Sequence, residues 1–270
     1  MPAGANPGRR RDVGGPHELG QNFLVDPRVV DRLTGYVPRD PLPVVELGPG
    51  DGVITDRLVA DRPKNVTVVE IDPRRVERLR GRFRNRAHVV RGDMLSYRLD
   101  APHHVVSNVP FGITSPLVRH LLGQRAWRTA VLLLQWEVAR KRAAVGGTTL
   151  LTASWWPWYE FALGGRVPSA AFRPRPSVDG GILLLTRRAT ALVPSRERAA
   201  YQRLVTAAFR GDRLVPAVRD AVPAPRRWAA NEGLPDTVRA RDLTAEHWVS
   251  LHRAAAPQRP GSRRSGRSRR

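Results

Sequence analysis

Between residues 43 and 135 short apolar runs alternate with amphipathic stretches, the texture of strands that helices cover on both faces. Pro43–Leu47 predicts a strand, Val53–Asp61 a helix, Val66–Glu70 a strand and Pro73–Phe83 a helix, which together read βαβα. Further strands are expected near His88–Val90, at His104–Ser107 and at Ala130–Gln135, with a helix near Ser115–Leu122. Upstream, Asp26 and Pro27 form an N-cap and first-turn pair that opens a helix to about Tyr36. This alternation predicts an α/β fold built on a parallel sheet.

Beyond Gly147 the texture changes. Leu150–Leu163 carries Trp155, Trp156, Trp158, Tyr159 and Phe161, and a Pro-rich turn separates it from the apolar Gly181–Thr186. Two more strands are expected there, closing the sheet in an antiparallel manner, with the tryptophans alternating between faces and packing in the core. From Pro194 the patterns are helical, at Arg196–Arg210, Leu214–Ala221, Pro225–Glu232 and Thr244–Ala255. The expected layout is a flexible basic arm at 1–18, a catalytic domain at 19–189, a small all-helical domain at 190–254 and an Arg-rich tail at 255–270, with the domain boundary near Ala189–Pro194.

Composition narrows the partner. The 270 residues hold 46 Lys+Arg against 24 Asp+Glu, a formal net charge of +22, which points to a polyanion and first to nucleic acid. All but Lys64 and Lys141 of those cations are arginine. A GC-rich coding bias explains Arg in place of Lys, but it does not explain the sign imbalance. Cysteine is absent, so disulfides, thiolate metal sites and thiol nucleophiles are excluded and a cytoplasmic location is expected. No apolar run of about 18 residues occurs, which removes membrane and secretion readings. The histidines show no paired ligand spacing, so no metal is expected. Nothing suggests a symmetric interface, so a monomer is expected.

The chemistry concentrates at strand ends. Glu46-Leu47-Gly48-Pro49-Gly50-Asp51-Gly52 lies between a predicted strand and a predicted helix, where glycines let a nucleotide-like ligand approach the backbone. Its Gly-x-Gly-x-Gly spacing favours S-adenosylmethionine over a nicotinamide cofactor, because Val53 stands where the latter wants its third glycine. Glu70 ends the next strand, 22 residues past Gly48, placed to accept both ribose hydroxyls of a bound adenosine. Asp93, in Gly92-Asp93-Met94, is placed to accept from an adenine amino group.

The sharpest signal is Asn108-Val109-Pro110-Phe111. An exocyclic amine is a poor nucleophile because its lone pair is delocalised into the ring. The Asn108 side-chain oxygen and the Pro110 carbonyl can bind its two hydrogens and favour a tetrahedral nitrogen. Phe111 can stack on the base, which has to be unpaired or extruded to reach a methyl donor. No metal is needed for this transfer.

In order and spacing, Gly20-Gln21-Asn22-Phe23-Leu24, Glu46–Gly52, Glu70-Ile71-Asp72, Gly92-Asp93 and Asn108–Phe111 resemble the ribosomal RNA adenine N6-methyltransferases over roughly residues 17–188. The resemblance implies a Rossmann-like class I S-adenosylmethionine-dependent methyltransferase sheet with a small C-terminal all-helical domain. It adds Asn22 and Leu24 to a cofactor site that already holds Gly48, Gly50, Glu70, Asp93 and Asn108. It also makes Phe172, in Ala171-Phe172-Arg173-Pro174, a second aromatic closing on the target adenine beside the catalytic Asn108, Pro110 and Phe111.

Two branches of that family differ in their rRNA. Phe111-Gly112-Ile113-Thr114-Ser115, Gln135–Arg142 and the Trp-rich segment resemble the branch that methylates one adenine of 23S rRNA and confers macrolide, lincosamide and streptogramin B resistance. Phe111 departs from the tyrosine common there, so stacking has to suffice without a phenolic hydroxyl. The resemblance implies 23S rRNA as partner, with Arg140, Lys141, Arg142 and Arg173 on its phosphates. The alternatives are a small-subunit 16S rRNA dimethylase and a non-catalytic RNA-binding factor on the same fold.

Overall fold

The computed structural model describes residues 22–62 and 65–255, so the N-terminal arm and all of the tail but Ala255 lie outside the described residues. The chain runs β1 (Phe23–Leu24), α1 (Pro27–Gly35), β2 (Val44–Leu47), α2 (Val53–Asp61), β3 (Val66–Glu70), α3 (Pro73–Phe83), β4 (His88–Arg91), β5 (His103–Asn108) and α4 (Thr114–Gly123). It continues through β6 (Trp127–Gln135), α5 (Trp136–Arg142), α6 (Leu150–Trp155), β7 (Tyr159–Val167), β8 (Phe172–Arg173) and β9 (Gly180–Arg187). The helical C-terminal part holds α7 (Arg198–Ala208), α8 (Leu214–Ala217), α9 (Pro225–Asn231) and α10 (Ala245–Ala255).

A seven-stranded sheet has the order β4-β3-β2-β5-β6-β9-β7. The five strands from β4 to β6 are parallel, while β9 is antiparallel to both β6 and β7. The helix starts follow their expected local chemistry. Asp26 accepts from the Arg28 N–H ahead of Pro27, and Asp72 accepts from Arg74 and Arg75 ahead of Pro73. Chain direction reverses its march across the sheet at β2, which lies between β3 and β5. A crevice therefore opens outside the carboxyl ends of these strands, the usual ligand position in such sheets.

Leu150–Leu163 departs from the strand expectation. Its first part is α6, started by the Thr149 side chain accepting from the Thr152 N–H, and β7 begins only at Tyr159. The tryptophans therefore do not alternate between sheet faces. Trp155 meets the ring edges of Trp158 and Tyr159 at 6.3 and 5.9 Å, and Trp127 stacks on Tyr159 at 5.0 Å. They do pack in the core: Trp158 and Tyr159 belong to one apolar cluster that also includes Leu132, Tyr201, Leu204 and Trp248. The Tyr201 hydroxyl donates to the Ala153 carbonyl at 2.7 Å, so α7 is fastened to α6 by a buried bond. Among the described residues no helix is long and apolar enough to cross a membrane.

Candidate active site

The carboxyl ends of β2, β3, β4 and β5, with the β1 strap laid across them, enclose a cavity of about 330 Å³. Gly48, Gly50, Glu70, Asp93, Asn108 and Pro110 all line it. Asn22 and Leu24 of the strap and Phe111 of the turn after β5 line it as well. Residues far apart in sequence thus converge where the strand order switches direction across the sheet, between β2 and β5.

The turn after β2 hugs the cavity because two glycines adopt left-handed backbone, Gly48 at φ +70° and Gly50 at φ +56°. A Cβ at Gly48 would stand 2.6 Å from the Met94 side chain, and one at Gly50 would stand 2.9 Å from the Phe23 ring. Both walls of the cavity are therefore drawn tight around bare backbone. The Gly50 N–H donates to Glu70 Oε2 at 3.3 Å, while Glu70 Oε1 accepts from the Ile71 and Asp72 N–H groups at 2.9 and 3.0 Å. Three backbone donors hold the buried Glu70 carboxylate in one orientation, with lone pairs left for a ligand hydroxyl. Asp93 Oδ1 accepts from the Leu95 N–H at 2.8 Å, a side-chain turn that presents the carboxylate at the cavity wall.

Glu46 lies one layer deeper. It is 1% exposed, and burial pushes its carboxyl up to about 8, although the Thr55 hydroxyl, donating at 2.5 Å, and the nearby carboxylates Asp56 and Glu70 act in opposite senses on it. The glycine motif Glu46–Gly52 by itself assigns Glu46 no role. The available signal was a carboxylate inside the otherwise apolar strand Val44-Val45-Glu46-Leu47.

Asn108 ends β5, and its Nδ2 donates to the Asn22 backbone carbonyl at 2.9 Å. That bond fixes which end of the amide is committed, and Oδ1 remains as the acceptor end. The Pro110 carbonyl accepts from the Ile113 N–H at 3.1 Å, closing the tight turn Phe111–Ile113, and keeps its second lone pair. Phe111 is half-buried at the cavity.

Phe172 is placed otherwise than expected. Its ring is fully buried, packs toward Gly180 of β9 within the apolar core, and is not among the residues that line the cavity. It serves instead through its backbone. β8 pairs with β1, Leu24 opposite Phe172 and Phe23 opposite Arg173, and the Val25 N–H donates to the Ala171 carbonyl at 2.8 Å. An apolar ring that can find a full complement of core neighbours stays there, because leaving it half-exposed forfeits the burial.

The basic residues divide by environment. Lys141 is exposed. Arg140 donates to Glu137 at 2.9 Å and to the Val145 carbonyl at 3.3 Å. Arg142 turns inward, donating to the Thr149 and Ser115 hydroxyls at 3.0 and 3.3 Å, and burial, with the nearby Arg119 charge, lowers its pKa. Arg173 is exposed and donates to the Phe172 carbonyl at 2.9 Å. Among the described residues no group of three or more His, Asp or Glu is arranged to hold a metal.

The family model described as ribosomal RNA adenine dimethylase matches residues 15–256. The mycinamicin-resistance protein MyrB of Micromonospora griseorubida is 53% identical over 247 residues, covering 89% of this chain and 79% of that protein. An rRNA adenine N-6-methyltransferase of Corynebacterium diphtheriae is 43% identical over 197 residues, covering 72% of this chain and 78% of its own. The crystal structure of the 23S rRNA methyltransferase ErmE aligns with a TM-score of 0.80 at 31% identity, covering 87% of this chain and 99% of that one. Sequence and fold agree across almost the whole length, and the chain belongs to the ribosomal RNA adenine dimethylase family and is a methyltransferase.

Proposed function

We propose that this protein methylates N6 of a single adenine in 23S rRNA, using S-adenosylmethionine, and so confers resistance to macrolide, lincosamide and streptogramin B antibiotics. The observation that carries the reading is the orientation of Asn108 by Asn22, which leaves an acceptor oxygen beside the Pro110 carbonyl at the cavity wall. The names of the relative at 53% identity, a mycinamicin-resistance protein, and of the aligned 23S rRNA methyltransferase structure support the choice of branch.

The residues fit the methyl donor. The Gly48 and Gly50 backbone forms a cradle that any Cβ would fill, Glu70 is held as a carboxylate to accept from ribose hydroxyls, and Asp93 stands to accept from the adenine amino group. Asn22 and Leu24 cover the donor from the strap side. When bound, the donor supplies an electrophilic methyl group on a sulfonium. Asn108 Oδ1 and the Pro110 carbonyl accept the two hydrogens of the target amine, which draws the nitrogen toward tetrahedral geometry and frees its lone pair for in-line attack. Phe111 stacks on the extruded base. Once alkylated the nitrogen is acidic, and water takes the surplus proton without a dedicated base.

Phe172 enters this reading as the anchor of the strap, not as a ring on the base. Lys141, Arg140 and Arg173 meet backbone phosphates, while the inward-facing Arg142 is held by Thr149 and Ser115, and residues 190–254 form a helical rRNA-binding unit attached to the catalytic domain 19–189. The test is transfer of radiolabelled methyl to protein-free 23S and 16S rRNA side by side, with nucleoside analysis. Label as N6-methyladenosine or its dimethyl form in 23S alone is the expected result. Label in 16S makes the protein a small-subunit enzyme, and label in neither makes it a binding factor.

A further inference from the structure

The end of the sheet away from the helical C-terminal part carries charge that neither the cavity nor the core uses. Residues 73–91, which span α3 and the edge strand β4, contain eight arginines and a single acid, Glu77. α3 buries only Val76, Leu79 and Phe83, so its arginines other than Arg75, which lines the cavity, lie on its exposed side. Arg74, Arg78, Arg80, Arg84, Arg86 and Arg91 are exposed and form no ion pair among the described residues, whereas Arg82 pairs with Asp56.

One explanation is protective. Edge strands gather charge to block pairing with other chains, and β4 is the outer strand. That accounts for Arg91, on the strand itself, and for Arg80, whose guanidinium donates to the Val89 carbonyl of β4 at 3.4 Å, but not for Arg74 and Arg78 of the row on α3, and it does not account for Gly81. Gly81 is an exposed residue within α3, and a Cβ built there meets nothing within 4 Å. Glycine inside a helix is destabilising relative to alanine. No packing contact in the fold requires it. By helical spacing Gly81 shares a face with Arg74 and Arg78, at i, i+4 and i+7. Bare backbone between guanidinium groups admits a phosphodiester closer than any side chain there would. The row starts at the cavity mouth, where Arg75 of the same helix lines the cavity.

We infer that the exposed face of α3 from Arg74 through Gly81, bordered by Arg86 and Arg91, is a second docking surface that takes the sugar–phosphate backbone of the rRNA next to its target adenine. This rests on the rRNA reading above.

The experiment compares wild type, Gly81→Ala and Arg74→Gln/Arg78→Gln with a control, Arg39→Gln/Arg128→Gln, which removes two exposed charges near the amino-terminal edge of the parallel strands. Equilibrium binding to protein-free 23S rRNA is measured across a salt series, and methyl transfer is measured in parallel. Arg74→Gln/Arg78→Gln is expected to weaken binding about tenfold and to flatten the slope of log K against log salt by about 1.8, roughly 0.9 for each lost duplex phosphate contact. The RNA KM rises in step while kcat stays within about twofold, and the control moves the slope by less than half as much. Gly81→Ala is expected to raise Tm and yet weaken binding about threefold, a pair of opposite effects that a purely structural helix position does not produce.

Unchanged affinity and slope in both variants overturn the surface and leave the arginines as edge protection. A defect seen only with assembling ribosomal particles, and not with protein-free RNA, assigns the face to a protein partner and also overturns it. Binding is read without turnover, so wild type that binds RNA through α3 but transfers no methyl counts against the methylation reading and not against the surface.

Discussion

The side-chain amide of Asn108 donates to the backbone carbonyl of Asn22 at 2.9 Å, across 86 residues of sequence. One bond does two things. It holds the β1 strap over the cavity, and it turns the amide so that oxygen is the end left to accept hydrogens from an incoming amine. Strap and acceptor are thus coupled, and loss of either partner reaches both the donor site and the target site.

Asn108→Ala is therefore expected to lower single-turnover methyl transfer by at least about 100-fold, because it removes an acceptor used chiefly in the transition state. Cofactor affinity should fall by only about two- to tenfold, the weight of one hydrogen bond holding the strap. Calorimetric titration with S-adenosylmethionine alongside rapid-quench transfer separates the two effects. Unchanged turnover would remove Asn108 from the chemistry.

Gly50→Ala places a methyl group 2.9 Å from the Phe23 ring in a backbone at φ +56°. The ring has to move, and the strap with it. Cofactor affinity is expected to drop by more than about tenfold, and stability by roughly 1–2 kcal/mol, from strain at a left-handed position. Titration and chemical denaturation measure each loss. A variant with full affinity would mean that the strap does not cover the donor.

Glu46 makes stability depend on pH in an unusual direction. Burial raises its carboxyl from 4.5 to about 8, so between those values the folded chain holds a proton that the unfolded chain has released. The contribution is full below about pH 4.5 and is lost as pH rises toward 8, at roughly 1.4 kcal/mol per pH unit. Glu46→Gln keeps an acceptor for Thr55 and carries no charge. Urea denaturation at pH 6 and pH 8 should show the variant gaining on wild type as pH rises, and parallel curves would place the proton elsewhere.

The Tyr201 hydroxyl is buried and donates to Ala153 at 2.7 Å, joining α7 to α6. Tyr201→Phe keeps the ring contacts with Trp158 and His252 and leaves the Ala153 carbonyl without this donor. A loss of about 1–2 kcal/mol is expected in denaturant titration, with hydrogen exchange rising first in α7. A uniform rise across the sheet would show instead that the helices and sheet unfold as one unit.

Much of the fold was legible because local and global preferences agree. Val53–Asp61 and Val66–Glu70 begin and end where their periodicity places them, and Pro73–Phe83 where its periodicity and its Asp72 cap do. The convergence of Gly48, Glu70, Asp93 and Asn108 followed from a simpler fact, that parallel strands put every βα turn at one edge of the sheet. Leu150–Leu163 predicts strand throughout because its aromatic residues suit one, but the Thr149 cap and the neighbours available to Trp155 and Trp158 favour a helix and a turn over its first part.

What the sequence determined by itself, then, is the order of strands and helices from β2 to β6, the edge at which the chemistry gathers and the sign of the partner's charge. These depend on hydrophobic period, on turn residues and on charge count, all carried within a few residues of chain. Only the tertiary structure decided that Phe172 turns into the core while its backbone holds the strap, that Asn22 orients Asn108, and that Arg142 faces inward. Each of these depends on which distant groups become neighbours, and on the burial and hydrogen bonds that those neighbours offer, which no local pattern encodes.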